Sequence, residues 1–543
     1  MKIVVADSMD PVSRRLFDDA FSTDTVVHIN DFPNREAKLK QQIGDANFLV
    51  VRSATKVTKE LLDEAPRLIG VVRAGSGVDG IVTNECERRN IAVINTPDAS
   101  TNSVAEVTVA SMLSLRRRTL QTHVAMLTGR WDDIAGSSDK IPNPLDIRTD
   151  AIAESTVAAI IGLLRKMPQT HVAMVTGNWN KAMGFELAGK TIGIIDHRGI
   201  ASHLAKLLQG FGVNILVYDH SKKLNGDPNI RKVELGELVR ASDIVVLQAD
   251  SNDETRNSID ANTIANMKDG AFFVSFAPDL LIDGEALHRA LKNGKLSGAH
   301  LDVLEPGEYY TGLIKLANHQ RNLKGEIINI AFSRQVDSVT LAGSTVGIVG
   351  YGRIGKCVTN LLQHFGVNIV TYDPFQEVNL PHTVGRQVGL DELLAISNVV
   401  TLHSQLTDDT RDMINARALA EMPEGAHLIN FGRGGMVDEN ALAEALAGRK
   451  LSGAHLDVFK KEPYQGVLVE AARGNNVSFS CHIGANTVEA QQRIALSLIA
   501  QIRNVMATKE IQADRRTFAS APIPTRAGHP VPILSPVAVG KRG

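Results

Sequence analysis

The sequence predicts an α/β protein of parallel sheets, one small domain followed by two tandem doubly wound domains of which the first is degenerate. Three observations point there. Short apolar strands alternate with helical patterns over the first hundred residues, a long internal repeat follows, and a glycine-rich turn stands between strand and helix in only one copy of that repeat.

Residues 3–6, 48–52, 69–73 and 91–96 are short apolar runs that read as strands, and 58–65 reads as a helix. This rhythm predicts a small α/β domain over 1–103. Residues 104–131, VAEVTVASMLSLRRRTLQTHVAMLTGRW, read as a long linking helix region. They recur without a gap at 152–179 as IAESTVAAIIGLLRKMPQTHVAMVTGNW. Between them, 132–151 is rich in Asp, Ser and Pro and reads as a linker. The repeat continues: LAGKTIGII at 187–195 answers LAGSTVGIV at 341–349, FGVNILVYD answers FGVNIVTYD, and LSGAHLDV occurs at 296–303 and 451–458. A degenerate domain is therefore expected over 152–310, a linker over 311–340, and an intact domain over 341–481. A further segment, 482–515, precedes a proline-containing tail, 516–543, that reads as disordered.

With 43% hydrophobic and 22% charged residues and a formal net charge of -2, the chain has an ordinary globular composition. No basic stripe suggests nucleic acid, and no apolar run has the length of a membrane span. The N-terminus MKIVVADSMD reads as a strand and not a signal peptide. Three scattered cysteines, Cys86, Cys357 and Cys481, form neither a disulfide framework nor a metal spacing, so no metal is expected and a cytoplasmic location is.

In the intact copy an apolar strand runs into Gly350-x-Gly352-x-x-Gly355, a helical pattern follows, and a second strand ends at Asp373, 18 residues beyond Gly355. In that setting the pattern predicts a Rossmann-like dinucleotide site. Gly350 permits the tight turn, Gly352 lets the backbone approach the pyrophosphate, and Gly355 lets helix and strand pack closely. Arg353 and Ile354 lie between the last two glycines. Asp373 is placed for the ribose hydroxyls and would repel a 2′-phosphate, which favours NAD over NADP. At the matching positions the first copy has Asp196, Arg198 and Ala201, and only Asp219 persists. Its phosphate cradle should be lost.

The stretches VRSAT at 51–55, RAGSGVD at 73–79, NSVAE at 102–106, INFGRGG at 429–435, LDVFKKEP at 456–463 and HIGA at 482–485 resemble the D-isomer-specific 2-hydroxyacid dehydrogenases. Cys481, where the family has proline, and Phe431-Gly432 before Arg433 depart from its pattern. The resemblance implies that the substrate domain is discontinuous and flavodoxin-like, with 482–515 returning to residues 1–103. It implies NAD as cofactor and a small 2-oxo or 2-hydroxy acid as substrate, with 3-phosphoglycerate and 3-phosphohydroxypyruvate, the pair of serine biosynthesis, expected first.

By the same resemblance Arg433 clamps the substrate carboxylate, His482 donates or accepts the proton, Glu462 orients His482, and Asp457 orients the nicotinamide carboxamide. These are roles the chemistry needs. Substrate contacts are expected from Arg52, Ser53, Gly75, Ser76, Gly77 and Asn102. The first copy has Pro278 at the position of Arg433 and Gly307 at that of Glu462, with Glu305 and Glu308 nearby, and no histidine in 328–332. One active site per chain follows. Family enzymes are commonly dimers, so the degenerate copy is expected to take a partner's place in an internal pseudo-dimer, with a homo-oligomer also open. A different reading is an NAD-binding scaffold or regulatory protein with little turnover.

Overall fold

The computed structural model describes residues 1–128, 149–196, 200–219, 230–249, 258–277, 281–302, 327–330, 339–472 and 476–520. The N-terminal sheet comprises β1 (Lys2–Val5), β2 (Thr25–His28), β3 (Phe48–Val51), β4 (Gly70–Arg73) and β5 (Ala92–Ile94) in the order β2-β1-β3-β4-β5. All pairs are parallel, and the order is that of flavodoxin-like sheets. Helix α1 (Pro11–Ala20) starts where Asp10 accepts from the N–H groups of Val12 and Ser13, with proline at its first position.

Next come α2 (Thr101–Arg117) and α3 (Thr119–Thr128), then α4 (Thr149–Leu164) and α5 (Met167–Val175). Each half of the helical repeat is thus two helices where the sequence suggested one. The break falls at the same repeat position in both, Arg118 with φ 52° and Lys166 with φ 54°. A left-handed residue closes the first helix and turns the chain into the second.

The inserted copy contains β6 (Thr191–Asp196), β7 (Asn214–Asp219), β8 (Ile230–Lys232), β9 (Ile244–Gln248), β10 (Ala271–Ser275), β11 (Leu296–Leu301) and β12 (Ile327–Ile330), with α6 (Ala201–Leu208) after its first strand. The second copy contains β13 (Thr345–Val349), β14 (Asn368–Tyr372), β15 (Gly385–Gln387), β16 (Val399–Leu402), β17 (Ala426–Asn430), β18 (Leu451–Leu456) and β19 (Val477–Phe479), with α7 (Arg353–Leu362) after β13. The orders are β12-β11-β10-β9-β6-β7-β8 and β15-β14-β13-β16-β17-β18-β19, the same doubly wound succession twice. Even the register shift recurs, at Ala271/Phe272 and at Ala426/His427. Strand β12 lies inside the stretch that the sequence suggested as the linker 311–340. It extends the inserted sheet by pairing with β11.

One hydrophobic cluster runs through both copies. It joins Val107 and Leu113 of α2, Val157 and Ile161 of α4, Leu204 of α6 and Val358 and Leu362 of α7. Helix α2 packs on α7 and on α4, and α4 packs on α6. Phe211 meets Phe365 edge-on across the two copies, with centroids 6.5 Å apart. Two carboxylates cross-tie the halves. Glu106 of α2 accepts from Leu187 N and Ala188 N at 2.7 and 2.9 Å, at the entry to the inserted copy. Glu154 of α4 accepts from Leu341 N and Ala342 N, at the entry to the second copy.

The chain ends in α8 (Val488–Ser520), which packs on α1, β4 and β5. Ile494, Leu498 and Ile502 of α8 share a core with Ile3, Val5, Phe17 and Phe48. Among the described residues no helix is long and apolar enough to cross a membrane.

Candidate active site

A cleft of about 350 Å³ opens between the N-terminal sheet and the second copy. Arg52, Ser53, Gly75, Ser76 and Gly77 line it from one side, Arg433 and His482 from the other. These seven sequence candidates, drawn from widely separated stretches, meet in one place.

Arg433 follows β17. Asn430 fixes this turn, accepting from Gly432 N through Oδ1 and donating to Arg433 O through Nδ2, both at 3.0 Å. The guanidinium donates to Asp79 Oδ2 at 3.2 Å and to Gly432 O at 2.9 Å. A Cβ on Gly77 would lie 2.5 Å from Arg433 Nη2, so glycine is what lets the opposing loop come this close.

His482 Nδ1 faces both Glu462 oxygens, at 3.2 and 3.0 Å. Its other ring nitrogen, Nε2, is not engaged by Glu462. Burial raises the pKa of Glu462, but the hydrogen bond and charge of His482, with the charge of Lys181, outweigh burial and hold the carboxyl below its ordinary value. His482 itself is left-handed, with φ 54°. For a residue with a Cβ this costs about 1–2 kcal/mol and persists only where neighbours fix it. Asp457 is one of them. It is 2% exposed, and its Oδ1 accepts from Ile483 N at 2.7 Å while its Oδ2 accepts from Gly484 N at 2.9 Å. Ser480 Oγ also donates to Oδ1. The carboxylate expected to orient a nicotinamide thus shapes the histidine loop, and Oδ2 keeps acceptor capacity for a further donor.

Asn102 is not among the cleft-lining residues. Its Oδ1 lies 3.5 Å from Cys357 Sγ in α7, so it faces the dinucleotide helix and not the substrate side. The cleft is also lined by residues that were not among the sequence candidates, Lys56, Arg73, Asp79, Lys181 and Asn486 among them. Lys181 comes from the inserted copy. Its segment is held by Asn486 Nδ2, which donates to Ala182 O at 2.7 Å, while Trp179 packs edge-on against Phe459 at 5.9 Å. The signal was the repeat's terminal Thr-Gly-x-Trp, whose tryptophan stands two residues before Lys181.

The cleft is cationic. Arg52, Lys56, Arg73, Lys181 and Arg433 line it against one acid, Asp79. Asp7 holds the Arg52 turn, accepting from the N–H groups of Arg52 and Thr55 at 2.6 and 3.1 Å. Burial lowers the pKa of Arg73, and the like charges of Arg52 and Arg433 add to this.

The glycine turn fits a dinucleotide. Gly350 has φ +91°, and a Cβ there would lie 2.6 Å from Ser404 Oγ. A Cβ on Gly355 would lie 2.4 Å from Gly350 O, which seals helix against strand. Gly352, by contrast, has nothing among the described residues within 4 Å of its Cβ position and caps α7 without a side-chain hydrogen bond, so the helix N–H groups face open space there. Asp373 accepts from Tyr351 N at 2.9 Å, Gln376 Nε2 at 2.8 Å and Phe375 N at 3.0 Å. Partial burial raises its pKa, but these donors prevail and hold the carboxyl below its ordinary value, so it stays charged at neutral pH. Arg353 pairs with Asp98 of the N-terminal part, and Ile354 packs on the shared core. In the inserted copy Arg198, Pro278, Glu305, Gly307 and Glu308 lie outside the described residues, as does the Asp196 side chain. Ala201 opens α6.

Two doubly wound units, one with an open glycine cradle, define a dinucleotide-binding fold. The NAD binding domain of the D-isomer specific 2-hydroxyacid dehydrogenases matches twice, at residues 157–320 and 312–484, and the chain belongs to that family. NAD is its cofactor. The chain is 30% identical over 308 residues to D-3-phosphoglycerate dehydrogenase of Methanocaldococcus jannaschii, covering 56% of this chain and 49% of that one. It is 30% identical over 299 residues to hydroxypyruvate reductase of Thermotoga maritima, covering 51% of this chain and 82% of that one. The chain thus spans about half the length of several curated relatives it matches. D-lactate dehydrogenase from Aquifex aeolicus, complexed with NAD and lactic acid, shares the fold with a TM-score of 0.50 at 17% identity, covering 94% of this chain and 97% of that one.

Proposed function

We propose that the chain is an NAD-dependent oxidoreductase with one active site, interconverting a small D-2-hydroxy acid and its 2-oxo acid. The observation that carries this reading is the meeting of Arg433 with the Glu462–His482 pair at one cleft. Arg433 holds the substrate carboxylate and polarises the adjoining carbonyl. His482, its Nδ1 fixed by Glu462, gives a proton from Nε2 to the forming alkoxide and takes it back in the reverse direction. NAD, when bound, supplies or takes the hydride.

The substrate we propose is 3-phosphoglycerate, with 3-phosphohydroxypyruvate as its oxidised form, which makes the chain phosphoglycerate dehydrogenase-like. Five cations against one acid exceed what a single carboxylate needs and suit a second, phosphate anion. We assign cofactor contacts to Gly350, Gly352, Arg353, Ile354, Gly355 and Asp373, and to Asp457 the orienting of the nicotinamide carboxamide. The inserted copy has no chemistry in this reading. It serves as an internal partner, which the continuous core and crossed carboxylate ties support. A second reading, an NAD-binding scaffold, draws on the engagement of Arg433 by Asp79.

The test is NADH oxidation with 3-phosphohydroxypyruvate, hydroxypyruvate and pyruvate, in the unmodified chain and in Arg433→Ala. Turnover greatest with the phosphorylated acid and lost in R433A is expected. NADH binding with no turnover on any of the three would favour the scaffold.

A further inference from the structure

Arg165 follows the last residue of α4, in the copy that lacks the catalytic set. It is 1% exposed, yet its guanidinium reaches into the second copy. Nη1 donates to Ser103 O at 2.6 Å, and Nη2 donates to Ile483 O at 2.6 Å and to Gly484 O at 2.9 Å. Among the described residues Nε has no partner, and the group's hydrogen bonds all go to these three carbonyls.

Residues Ile483 and Gly484 are therefore gripped from two sides. Asp457 takes both of their N–H groups and Arg165 takes both of their carbonyls. Ser103 Oγ adds a donor to Gly484 O at 2.7 Å. Immediately before them stands His482 in its left-handed conformation. A left-handed φ is uncommon for any residue with a Cβ, histidine included, and the two grips hold the backbone that aims its ring at Glu462.

The repeat supplies a comparison. Arg117 is the counterpart of Arg165 and is also buried, at 5% exposure. Its Nε donates to Ser155 Oγ at 2.8 Å, on the side of the inserted copy, where no histidine needs holding. We infer that Arg165 is a positioning residue for His482, supplied in cis by the inactive copy, which thereby completes the frame of the other copy's active site. The inference rests on the reading of His482 as the proton-transferring group.

The experiment uses the full chain with R165M, R165K and R117M. Each is read by thermal melting, NADH affinity, kcat with 3-phosphohydroxypyruvate, and amide hydrogen exchange at residues 483 and 484. R165M and R117M should lose similar thermal stability and keep NADH affinity within about threefold. Only R165M should lose kcat, by about a hundredfold, the scale of a misplaced catalytic group. R165K should recover part of it, and exchange at Ile483 and Gly484 should quicken in R165M alone. Retention of kcat in R165M within about threefold, or an equal loss in R117M, overturns the inference. If R165M fails to fold, R165K against R117K makes the same comparison. Should the unmodified chain turn over no 2-oxo acid, the functional reading has failed, and exchange decides this inference alone: unchanged protection in R165M refutes it.

Discussion

Replacing Gly355 by alanine tests the cofactor cradle at one atom. The new Cβ would sit 2.4 Å from Gly350 O and 3.3 Å from Ile348 Cγ2. Carbon and oxygen need more than 3 Å, so α7 must retreat from β13 by somewhat under an ångström or the Gly350 turn must deform. Neither move is free, because α7 also packs on α2, and Phe365 just beyond it meets Phe211. Overpacking of this kind costs about 1–3 kcal/mol, and because the displaced atoms form the phosphate cradle, most of that falls on binding. NADH affinity should therefore weaken about 5- to 150-fold. Fluorescence titration of NADH measures it, with thermal melting to show that the chain remains folded. The control is Ala201→Gly, the reverse change at the repeat position, which should leave NADH affinity unchanged. Binding of NADH by G355A within about threefold of the unmodified chain would falsify the assignment of this turn as the cradle.

Three other outcomes are expected. Glu462→Gln should lower kcat about 10- to 100-fold, the value of a charge-assisted hydrogen bond, with NADH affinity unchanged in titration. Because the folded-state pKa of Glu462 is depressed, its support of His482 is present above the ordinary carboxylate pKa and is lost as pH falls through the lower folded value. The acid limb of kcat assigned to Glu462 should accordingly lie below pH 4.5, and a limb above that value would contradict the pairing. Arg52→Ala should raise KM for 3-phosphohydroxypyruvate about tenfold or more and change KM for pyruvate little; equal effects on both would remove the phosphate assignment. Equilibrium dialysis should find one NADH per chain at saturation, and two would show that the inserted copy still binds.

Much of this arrangement could be read from the residues because the repeat carries both a working and a failed version of the same unit. Gly350, Gly352 and Gly355 stood out against Asp196, Arg198 and Ala201, and the space around each glycine accords with its assigned role. Arg433, Glu462 and His482 sit in specific motifs and meet at the cleft. Other features depend on which segments cross between the halves, and that is a tertiary matter. Lys181 looks like a surface residue after a tryptophan until Asn486 draws its segment to the cleft. Arg165 reads as a helix-end cation, and only the packing of α4 on α2 aims it at Ile483. Asn102 misled for a similar reason: α2 turns it toward Cys357. The helix break at Arg118 was hidden because neither glycine nor proline marks it.

The shared core, from Val107 in α2 through Ile161 in α4 to Leu362 in α7, joins two units that belong to one polypeptide. Separate subunits held by such a surface come apart on dilution, and their melting temperature follows protein concentration. Here the effective concentration of one half near the other is fixed by the chain itself. The assembly is as complete at nanomolar as at millimolar levels. Each half can also change its sequence alone, a freedom that two identical subunits read from a single coding sequence never have.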